Sequence, residues 1–216
     1  MVILYKLTSR SRPANMYRAY RSVVDNSVLP WRMILSVDED DNITLNSEEF
    51  KKMQWDSRVS IHVGKSKNKI DAINRDVPNE GWDILVNLSD DQVFTVKAFD
   101  EVIATCGKDE FLHLPDGHVN ELLPTMSILG IDYYKRFGYI YHPDYVSLWS
   151  DNEAMDVAIE LGCYRYEPQQ IFKHLHPAWT GEQPDAQLLH TQKYYRQDER
   201  TYKKRKSLGF PNSSVF

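Results

Sequence analysis

Short apolar runs alternate with amphipathic segments through the first 91 residues. Four runs rich in Val, Ile and Leu are bounded by polar turns and predict strands, at residues 2–7, 33–37, 59–63 and 84–88. Residues 14–25 and 65–75 lie between these strands and carry apolar side chains at helical spacing, so they predict helices. This alternation is typical of a parallel α/β sheet flanked by helices.

The second half of the chain has a less regular pattern. It predicts helices at 93–104 and 150–161, the second ended by Gly162. It also predicts strands, at 111–114, 126–131, 137–141 and 171–176. Residues 185–206 are expected to be helical or partly ordered, and the final stretch 209–216 to be loose.

Composition limits the class of protein. A chain of 216 residues suits one domain with a sizeable core. Its net charge of −5 argues against a general nucleic-acid binder. The basic run at 203–206 is expected to be a solvated tail, with contact to a membrane or polyanion as the alternative.

The cysteines and the hydropathy pattern indicate in which cellular compartment the chain is expected to lie. Cys106 and Cys163 form no CxxC motif and make no disulfide framework, which fits a reducing environment. No stretch approaches the roughly 18 apolar residues that a transmembrane helix needs. The opening residues lack the pattern of a signal peptide, so the chain is expected to be cytoplasmic.

The adjacent acids Asp90 and Asp91 are the most informative chemical feature, because they follow the predicted strand at 84–88 directly. Open α/β sheets bind ligands at the carboxyl ends of their strands. Hard divalent cations prefer oxygen ligands and can in turn hold a diphosphate. The plain alternative is a solvated turn. The sequence contains neither GxGxxG nor GxxxxGK[ST], so dinucleotide and P-loop sites are not indicated.

Five segments follow one another in sequence order: the strand exit Thr8-Ser9-Arg10-Ser11-Arg12-Pro13, the pair Val37-Asp38, the segment at 64–74, Ser89-Asp90-Asp91, and the helix start at 149–153. Together they resemble the GT-A fold of nucleotide-sugar glycosyltransferases, in the broad family-2-like group. The resemblance implies an α/β fold with a Rossmann-like, mixed but mostly parallel sheet flanked by helices. Residues 1–184 would form the single glycosyltransferase domain, with a nucleotide-binding half at 1–91 and an acceptor half at 92–184. Residues 185–216 would form a C-terminal helical or loose extension.

The resemblance also implies a function. The chain would move a sugar from a UDP-sugar, or another NDP-sugar, to a hydroxyl of a glycan or other acceptor. Mn²⁺ or Mg²⁺ would neutralise the charge that develops on the leaving diphosphate. Asp91 is the expected metal ligand. Ser89 stands where the family signature has its first acid, which leaves open how many carboxylates touch the metal.

His174 and His176 are the candidates for a further metal ligand, since glycosyltransferases of this fold often supply a late histidine. Residues at i and i+2 of a strand point to the same side, so either imidazole is a candidate. A neutral imidazole in a mixed nitrogen and oxygen site favours Mn²⁺ over Mg²⁺. The plain alternative is one hydrogen-bonded core histidine and one exposed histidine.

The nucleotide side of the site is implied by the same resemblance. Asp38 would accept a hydrogen bond from uracil. The remaining candidates for nucleotide binding are Thr8, Ser9, Arg10, Lys65, Asn68 and Asp90. Arg10 and Lys65 would make charge-assisted contacts with base or phosphate. For each residue the alternative is an ordinary solvated position in a loop.

Asp151 is the predicted general base of an inverting transfer, in which a carboxylate deprotonates the attacking acceptor hydroxyl. Its place at a helix N-terminus is expected to lower its pKa and keep it ionised. Ser150 and Glu153 have the spacing of a capping box, which would leave Asp151 directed into the cleft. Glu153 is the alternative base.

Acceptor recognition is expected from residues that offer aromatic faces or turn geometry, namely Asp116, Gly117, His118, Tyr133, Tyr134 and Trp149. Ordinary core or loop roles are the alternative for each. Two other functions compete with the transferase. One is a non-catalytic nucleotide- or glycan-binding module of the same fold. The other is a nucleotidyltransferase, against which the absence of glycine in the loop 8–13 counts.

Overall fold

A mixed β-sheet forms the centre of the computed structural model, which describes residues 1–181 and 183–210. The strands of this sheet are β1 Ile3–Thr8, β2 Trp31–Asp38, β3 Val59–Gly64, β4 Ile84–Ser89, β6 Phe111–His113, β7 Ile128–Gly130 and β8 Tyr164–Tyr166. Between β4 and β6 the chain forms β5, Gln92–Phe94, which pairs with β9, Phe172–His174, in a separate sheet. Across the large sheet the order is β3-β2-β1-β4-β7-β6-β8.

The first four strands of the large sheet run parallel to one another. β7 is antiparallel to both β4 and β6, and β8 is parallel to β6. The predicted fold class, a mixed and mostly parallel sheet, is therefore confirmed. Each strand predicted in the first 91 residues is also present.

Helices cover both faces of this sheet. Their bounds within the described residues are α1 Pro13–Asn26, α2 Asn42–Leu45, α3 Glu48–Met53, α4 Lys69–Asn74, α5 Phe99–Ile103, α6 Ile131–Phe137, α7 Ser150–Glu160, α8 Pro177–Thr180, α9 Ala186–Gln192 and α10 Tyr195–Ser207. A 3₁₀ turn, Asn120–Leu122, precedes β7. None of the helices in the described part of the chain is long and apolar enough to cross a membrane.

Two apolar clusters form the core, one on each face of the sheet. The alternation of side chains along β1 sends Tyr5 into the cluster beneath α1 and Leu4 into the cluster beneath α4 and α6. Strands buried on both faces must be apolar along nearly their whole length. That requirement explains why continuous apolar runs in the sequence predicted the central strands correctly.

The predicted helix at 93–104 is wrong over its first half. Gln92–Phe94 form β5, and only Phe99–Ile103 are helical. The side chain of Gln92 is buried and donates a hydrogen bond to the carbonyl oxygen of Thr125, at 2.7 Å. Pairing with β9, which lies far along the chain, overrides the local propensity of this segment.

The predicted strand at 137–141 is also wrong. Phe137 ends α6, and Gly138 follows it with a φ of 71°, the left-handed conformation that commonly ends helices. The backbone amides of Ile140 and Tyr141 donate to the side-chain oxygen of Asn74, both at 3.0 Å. A side chain of α4 therefore takes the hydrogen bonds that a neighbouring strand would have taken.

The C-terminal helix α10 packs against α7 and the loop before it. Asp198 is fully buried, and its carboxylate accepts the backbone N–H groups of Val146, Ser147 and Leu148 at 3.1, 2.8 and 2.8 Å. Arg205 forms a buried pair of hydrogen bonds with Glu153, both at 2.8 Å. Residues 185–206 are helical in α9 and α10, whereas 211–216, most of the stretch predicted to be loose, lie outside the described residues.

One buried lysine interrupts the apolar interior. Lys6 has no exposed surface, and its ammonium donates to the hydroxyl of Ser36. That hydroxyl donates in turn to Asp76, at 2.6 Å. Burial lowers the pKa of Lys6 to about 7; the Asp76 carboxylate opposes this effect, and the Arg75 guanidinium adds to it.

We expect this lysine to make stability depend on pH. Between about pH 7 and 10.5 the unfolded chain binds a proton that the folded protein has released, so the free energy of unfolding rises with pH. In Lys6→Met this component is absent. The stability of the variant relative to the native protein should therefore be greater near pH 6.5 than near pH 9.5 in urea unfolding. Lys203→Met removes an exposed lysine as the control, and parallel pH curves for Lys6→Met and native protein would refute the expectation.

Removal of the Asp198 carboxylate is expected to cost about 2–4 kcal/mol of stability, because one buried and two partly buried amides would lose their acceptor. The measurement is the urea midpoint of Asp198→Ala. Glu199→Ala, on the next residue of α10, breaks only an exposed ion pair with Lys203 and should cost no more than about 0.5 kcal/mol. Equal losses in the two variants would contradict the role given to Asp198.

Candidate active site

The parallel register brings four strand ends to one edge of the sheet. Thr8 at the end of β1 pairs with Ser36 of β2 and with Ser89 at the end of β4. Asp38 at the end of β2 pairs with Gly64 at the end of β3. The loops that follow these strands carry most of the predicted site residues, and they meet at this carboxyl edge.

Asp90 is buried at the carboxyl edge and is held by the loop after β1. Its carboxylate accepts a hydrogen bond from the Ser9 hydroxyl at 2.7 Å and one from the Arg12 guanidinium at 3.3 Å. Burial and the neighbouring Asp91 carboxylate raise the pKa of Asp90 to about 6, against the opposing effect of Arg12. Asp90 is therefore tied to the residues of the strand exit at 8–13.

Asp91 faces His174 because β5 and β9 pair. Gln92 and His174 are partners in that pairing, and the amide of Leu175 donates to the carbonyl oxygen of Asp91 at 2.7 Å. The Nε2 atom of His174 lies 3.4 Å from Oδ2 of Asp91. Backbone hydrogen bonds between distant parts of the chain therefore bring Asp91 and His174 together.

Asp116 lies on the other side of the His174 ring. Its Oδ2 atom is 3.3 Å from Nδ1 of His174, and its Oδ1 atom accepts the backbone N–H of His118 at 2.8 Å. Burial alone would lower the pKa of His174, but the carboxylates of Asp116 and Asp91 overcome it and raise the pKa to about 9. Burial would raise the pKa of either carboxyl, and the hydrogen bonds from His174 instead hold both well below their usual range.

His176 has a different setting. It caps α8, and its Nδ1 atom accepts the amide of Ala178 at 3.2 Å. Its ring centroid lies 5.6 Å from that of His174, with the two planes at 67°. Burial lowers the pKa of His176, which favours the neutral ring. One nitrogen of this predicted ligand is therefore engaged by the helix start.

The donor set at Asp91 and His174 fits a divalent cation in part. Oδ1 of Asp91 is buried and has no hydrogen-bond partner among residues 1–181 and 183–210. A carboxylate oxygen and a neutral imidazole nitrogen are suitable ligands for Mn²⁺, so a cation here would displace the proton that Asp91 and Asp116 keep on His174. The same described residues contain no group of three or more His, Cys, Asp or Glu that could hold a metal alone. A cation here would need further ligands from a bound phosphate, as is common for Mg²⁺ sites.

One carboxylate oxygen of Asp38 is hydrogen-bonded, whereas the other accepts no hydrogen bond from the described residues. Arg10 donates a hydrogen bond to its Oδ2 atom at 2.8 Å, and two more to the carboxylate of Asp40 at 2.7 and 2.8 Å. The hydrogen bonds to these carboxylates raise the pKa of Arg10. Oδ1 of Asp38 is buried without a hydrogen-bond partner in the described part of the chain, and the guanidinium of Arg75 is 3.9 Å away. A buried acceptor of this kind suits a donor from a ligand.

Three polar residues near the start of α4 differ in their exposure and in their hydrogen bonds. Asn68 caps the helix by accepting the amide of Asp71 at 2.9 Å, a structural role for this nucleotide-binding candidate. Lys65 is exposed in the preceding loop. Lys69, also exposed, is one of several charges that act on Asp90, Asp91 and Asp151, and on the first two its effect is among the smaller ones. The sequence offered no signal that would have singled out Lys69 among the lysines of this segment.

Asp151 occupies the first turn of α7, and the residue before that helix is constrained. Trp149 has a φ of 63°, a conformation that non-glycine residues rarely adopt. The charges of Lys69 and His174 both act on the Asp151 carboxylate. Burial raises the pKa of Asp151 and outweighs the backbone amide of Asn152, which lowers it as expected of a helix N-terminus, so the expected net lowering of the pKa is wrong.

Glu153 has a structural role in this arrangement. Its carboxylate accepts from the hydroxyl of Tyr145 at 2.7 Å and from Arg205 of α10. The predicted capping box between Ser150 and Glu153 is absent, because α7 has Trp149 at its cap position and no side chain caps it. Arg205 supplies stronger, charge-assisted partners than the cap amide could. The sequence did not indicate that α10 would reach this carboxylate.

The predicted acceptor residues divide into buried and surface positions. Tyr133 and Tyr134 are buried in the cluster under α6, where their rings pack against Phe111 and Trp82. Their expected role in stacking on an acceptor is therefore wrong. Trp149 packs against tyrosines of α10. Gly117 and His118 are exposed in the turn after Asp116.

Comparisons with known proteins identify structural relatives only. No protein-family model matches the sequence, and no curated protein matches it. Among solved structures, residues 1–349 of TarS from S. aureus superpose with a TM-score of 0.65 at 8% identity, over 82% of this chain and 61% of that one. This chain thus spans less than two thirds of the TarS fragment.

A second relative is the mannosyltransferase PcManGT from Pyrobaculum calidifontis. It has a TM-score of 0.60 at 8% identity over 78% of this chain and 54% of that one. The bifunctional glycosyltransferase WbbM matches with a TM-score of 0.52 at 7% identity, over 77% of this chain and 39% of that one. At such low identities the likeness establishes the fold alone, and it confirms the one that the sequence resembled: the chain has the GT-A fold of nucleotide-sugar glycosyltransferases.

Proposed function

We propose that this protein is a metal-dependent glycosyltransferase that moves a sugar from a UDP-sugar, or another NDP-sugar, to an acceptor hydroxyl. The observation that best supports this is the cluster at the carboxyl edge. There Asp91 and His174 lie 3.4 Å apart beside the buried Asp90. A carboxylate and an imidazole are common metal ligands. At the ligand-binding edge of a GT-A sheet they could hold the cation that binds the diphosphate of a donor.

The solved relatives support the choice of donor and metal. TarS has been crystallised with UDP and with UDP-GlcNAc, and PcManGT with GDP-Man and Mn²⁺. For this chain we propose Mn²⁺ or Mg²⁺, held by Asp91 and His174 with His176 as the alternative imidazole. Such a cation would offset the negative charge that develops on the diphosphate as it leaves.

We assign the base of the nucleotide to the loop after β2. Oδ1 of Asp38 supports this, because it is a buried acceptor that receives no hydrogen bond within the described residues, with the Arg75 guanidinium 3.9 Å away. Uracil and guanine both carry a ring N–H that can donate to a carboxylate, and uracil is favoured by the resemblance. Thr8, Ser9, Arg10, Lys65, Asn68 and Asp90 would line the rest of the nucleotide, with Lys69 added for its charge.

The transfer itself is assigned to Asp151. Its carboxylate would accept the proton of the acceptor hydroxyl while that oxygen attacks the anomeric carbon. The bond between that carbon and the β-phosphate oxygen breaks, and the nucleoside diphosphate leaves with the electron pair. Attack opposite the leaving group inverts the anomeric centre. The raised pKa of Asp151 suits this role, because a stronger base takes the proton more readily provided it stays ionised at the working pH.

The donor site can be tested without knowledge of the acceptor. UDP with Mn²⁺ is expected to raise the melting temperature of the native protein by several degrees, since ligand at about 100 times its Kd adds about 2.7 kcal/mol. EDTA should reverse the shift, and Asp91→Ala should abolish it. Asp25→Ala, at an exposed position on α1, serves as the control and should retain the full shift. No UDP-dependent shift in the native protein, or a full shift in Asp91→Ala, would refute the proposal.

Asp151→Asn separates catalysis from donor binding. The variant should retain the UDP shift but lose about 10²-fold or more of its turnover, because it cannot take the proton. Turnover is measured as UDP released from UDP-glucose, UDP-galactose and UDP-GlcNAc, including the slow hydrolysis that occurs without an acceptor. Glu160→Gln, exposed at the far end of α7, is the matched control. If the native protein bound UDP yet released none from any donor, a binding module of the same fold would be the better description.

A further inference from the structure

An exposed indole lies parallel to an imidazole beside the candidate active site. The rings of Trp179 and His118 have centroids 4.9 Å apart and planes within 9° of each other. Trp179 keeps 49% of its surface exposed although His118 covers one face of its ring. The two rings are stacked, and about half of the surface of Trp179 remains exposed beside this contact.

Each of the two segments that carry these rings contacts a histidine of the proposed metal site, the first of them through Asp116. The backbone N–H of His118 donates to Oδ1 of Asp116, whose other oxygen is 3.3 Å from the His174 ring. Trp179 belongs to α8, the helix that the side chain of His176 caps. The stacked pair therefore joins two separate segments of chain, and each segment is attached to a histidine of the site.

This setting distinguishes Trp179 from other exposed apolar residues. Trp55 is 89% exposed at the end of α3, and no aromatic ring stacks on it within the described residues. Single exposed apolar side chains of that kind are normal on protein surfaces and need no function. Trp179 differs because a second aromatic ring stacks on it and because it belongs to the helix that His176 caps.

We propose that Trp179 is a stacking surface for a pyranose ring of the acceptor, with His118 as the positioning residue behind it. The proposal deepens the proposed function, on which it rests, by naming a glycan as the acceptor class. A flat aromatic face covers the C–H face of a sugar, and the indole N–H at its rim can donate to a sugar hydroxyl. The outward side of the ring pair would receive the sugar unit that carries, or adjoins, the attacking hydroxyl.

Direct binding tests this surface separately from transfer. The probes are methyl glycosides of glucose, galactose, mannose and N-acetylglucosamine and their β-linked disaccharides, observed by saturation-transfer NMR with UDP and the diamagnetic Mg²⁺ present. At least one probe should bind the native protein. Trp179→Ala should weaken the Kd of that probe about 5- to 10-fold, the usual worth of an aromatic stacking contact. Trp179→Phe, which keeps a flat ring, should recover most of the affinity, and Trp55→Ala should leave the affinity unchanged.

The outcomes separate this proposal from the proposed function. Binding of UDP by the native protein together with no binding of any glycoside overturns the stacking surface alone. Equal glycoside affinity in Trp179→Ala and native protein also overturns it. Glycoside binding that depends on Trp179, without any UDP-dependent thermal shift, supports the surface while the donor proposal fails. If Trp179→Ala does not fold, as judged by circular dichroism, His118→Ala should weaken the same probe by a smaller factor, and an unchanged Kd in that variant rejects the proposal.

Discussion

The pairing of β5 with β9 is the constraint on which the candidate site depends. It joins Gln92 to His174 across 82 residues of chain and thereby brings an imidazole against Asp91. A loop closure of this length is entropically costly, and the cost is met by backbone hydrogen bonds and by the burial of Phe94 and Phe172 in the core. The geometry at Asp91 therefore rests on a small, separate sheet and on its apolar residues.

Asp90 and Asp91 are adjacent in the chain, but their carboxylates contact different side chains. Asp90 meets a hydroxyl and a guanidinium from the loop after β1, while Asp91 meets His174 from β9. The pKa of Asp90 is raised and that of Asp91 is lowered, so the two carboxyls are driven apart in their protonation behaviour. Environments that separate two titratable groups in this way commonly give them different roles. The separation agrees with the assignment of Asp91 to the cation and Asp90 to the nucleotide.

Strands that are buried on both faces must be apolar, and the sequence predicted these strands correctly. β1, β2 and β4 are buried on both faces, so they had to be apolar, and the acids after them had to lie at one edge. The segments at 93–104 and 137–141 were misread because their partners, β9 and Asn74, lie far away in the chain. The contact between Asp91 and His174 came from family resemblance, since no local pattern in the sequence specifies a pairing between such distant strands.

Other site features have no local signature at all. Lys69 is one lysine among several in its segment, and only the fold shows that its charge acts on three carboxylates of the site. Asp198 and Arg205 lie in a strongly polar helix that reads as solvated, yet both are buried. They hold the loop at 146–148 and Glu153, and these flank Asp151 in the chain. Buried charges with complete partners are costly to disrupt, so α10 makes the position of the proposed base depend on the last helix of the described chain.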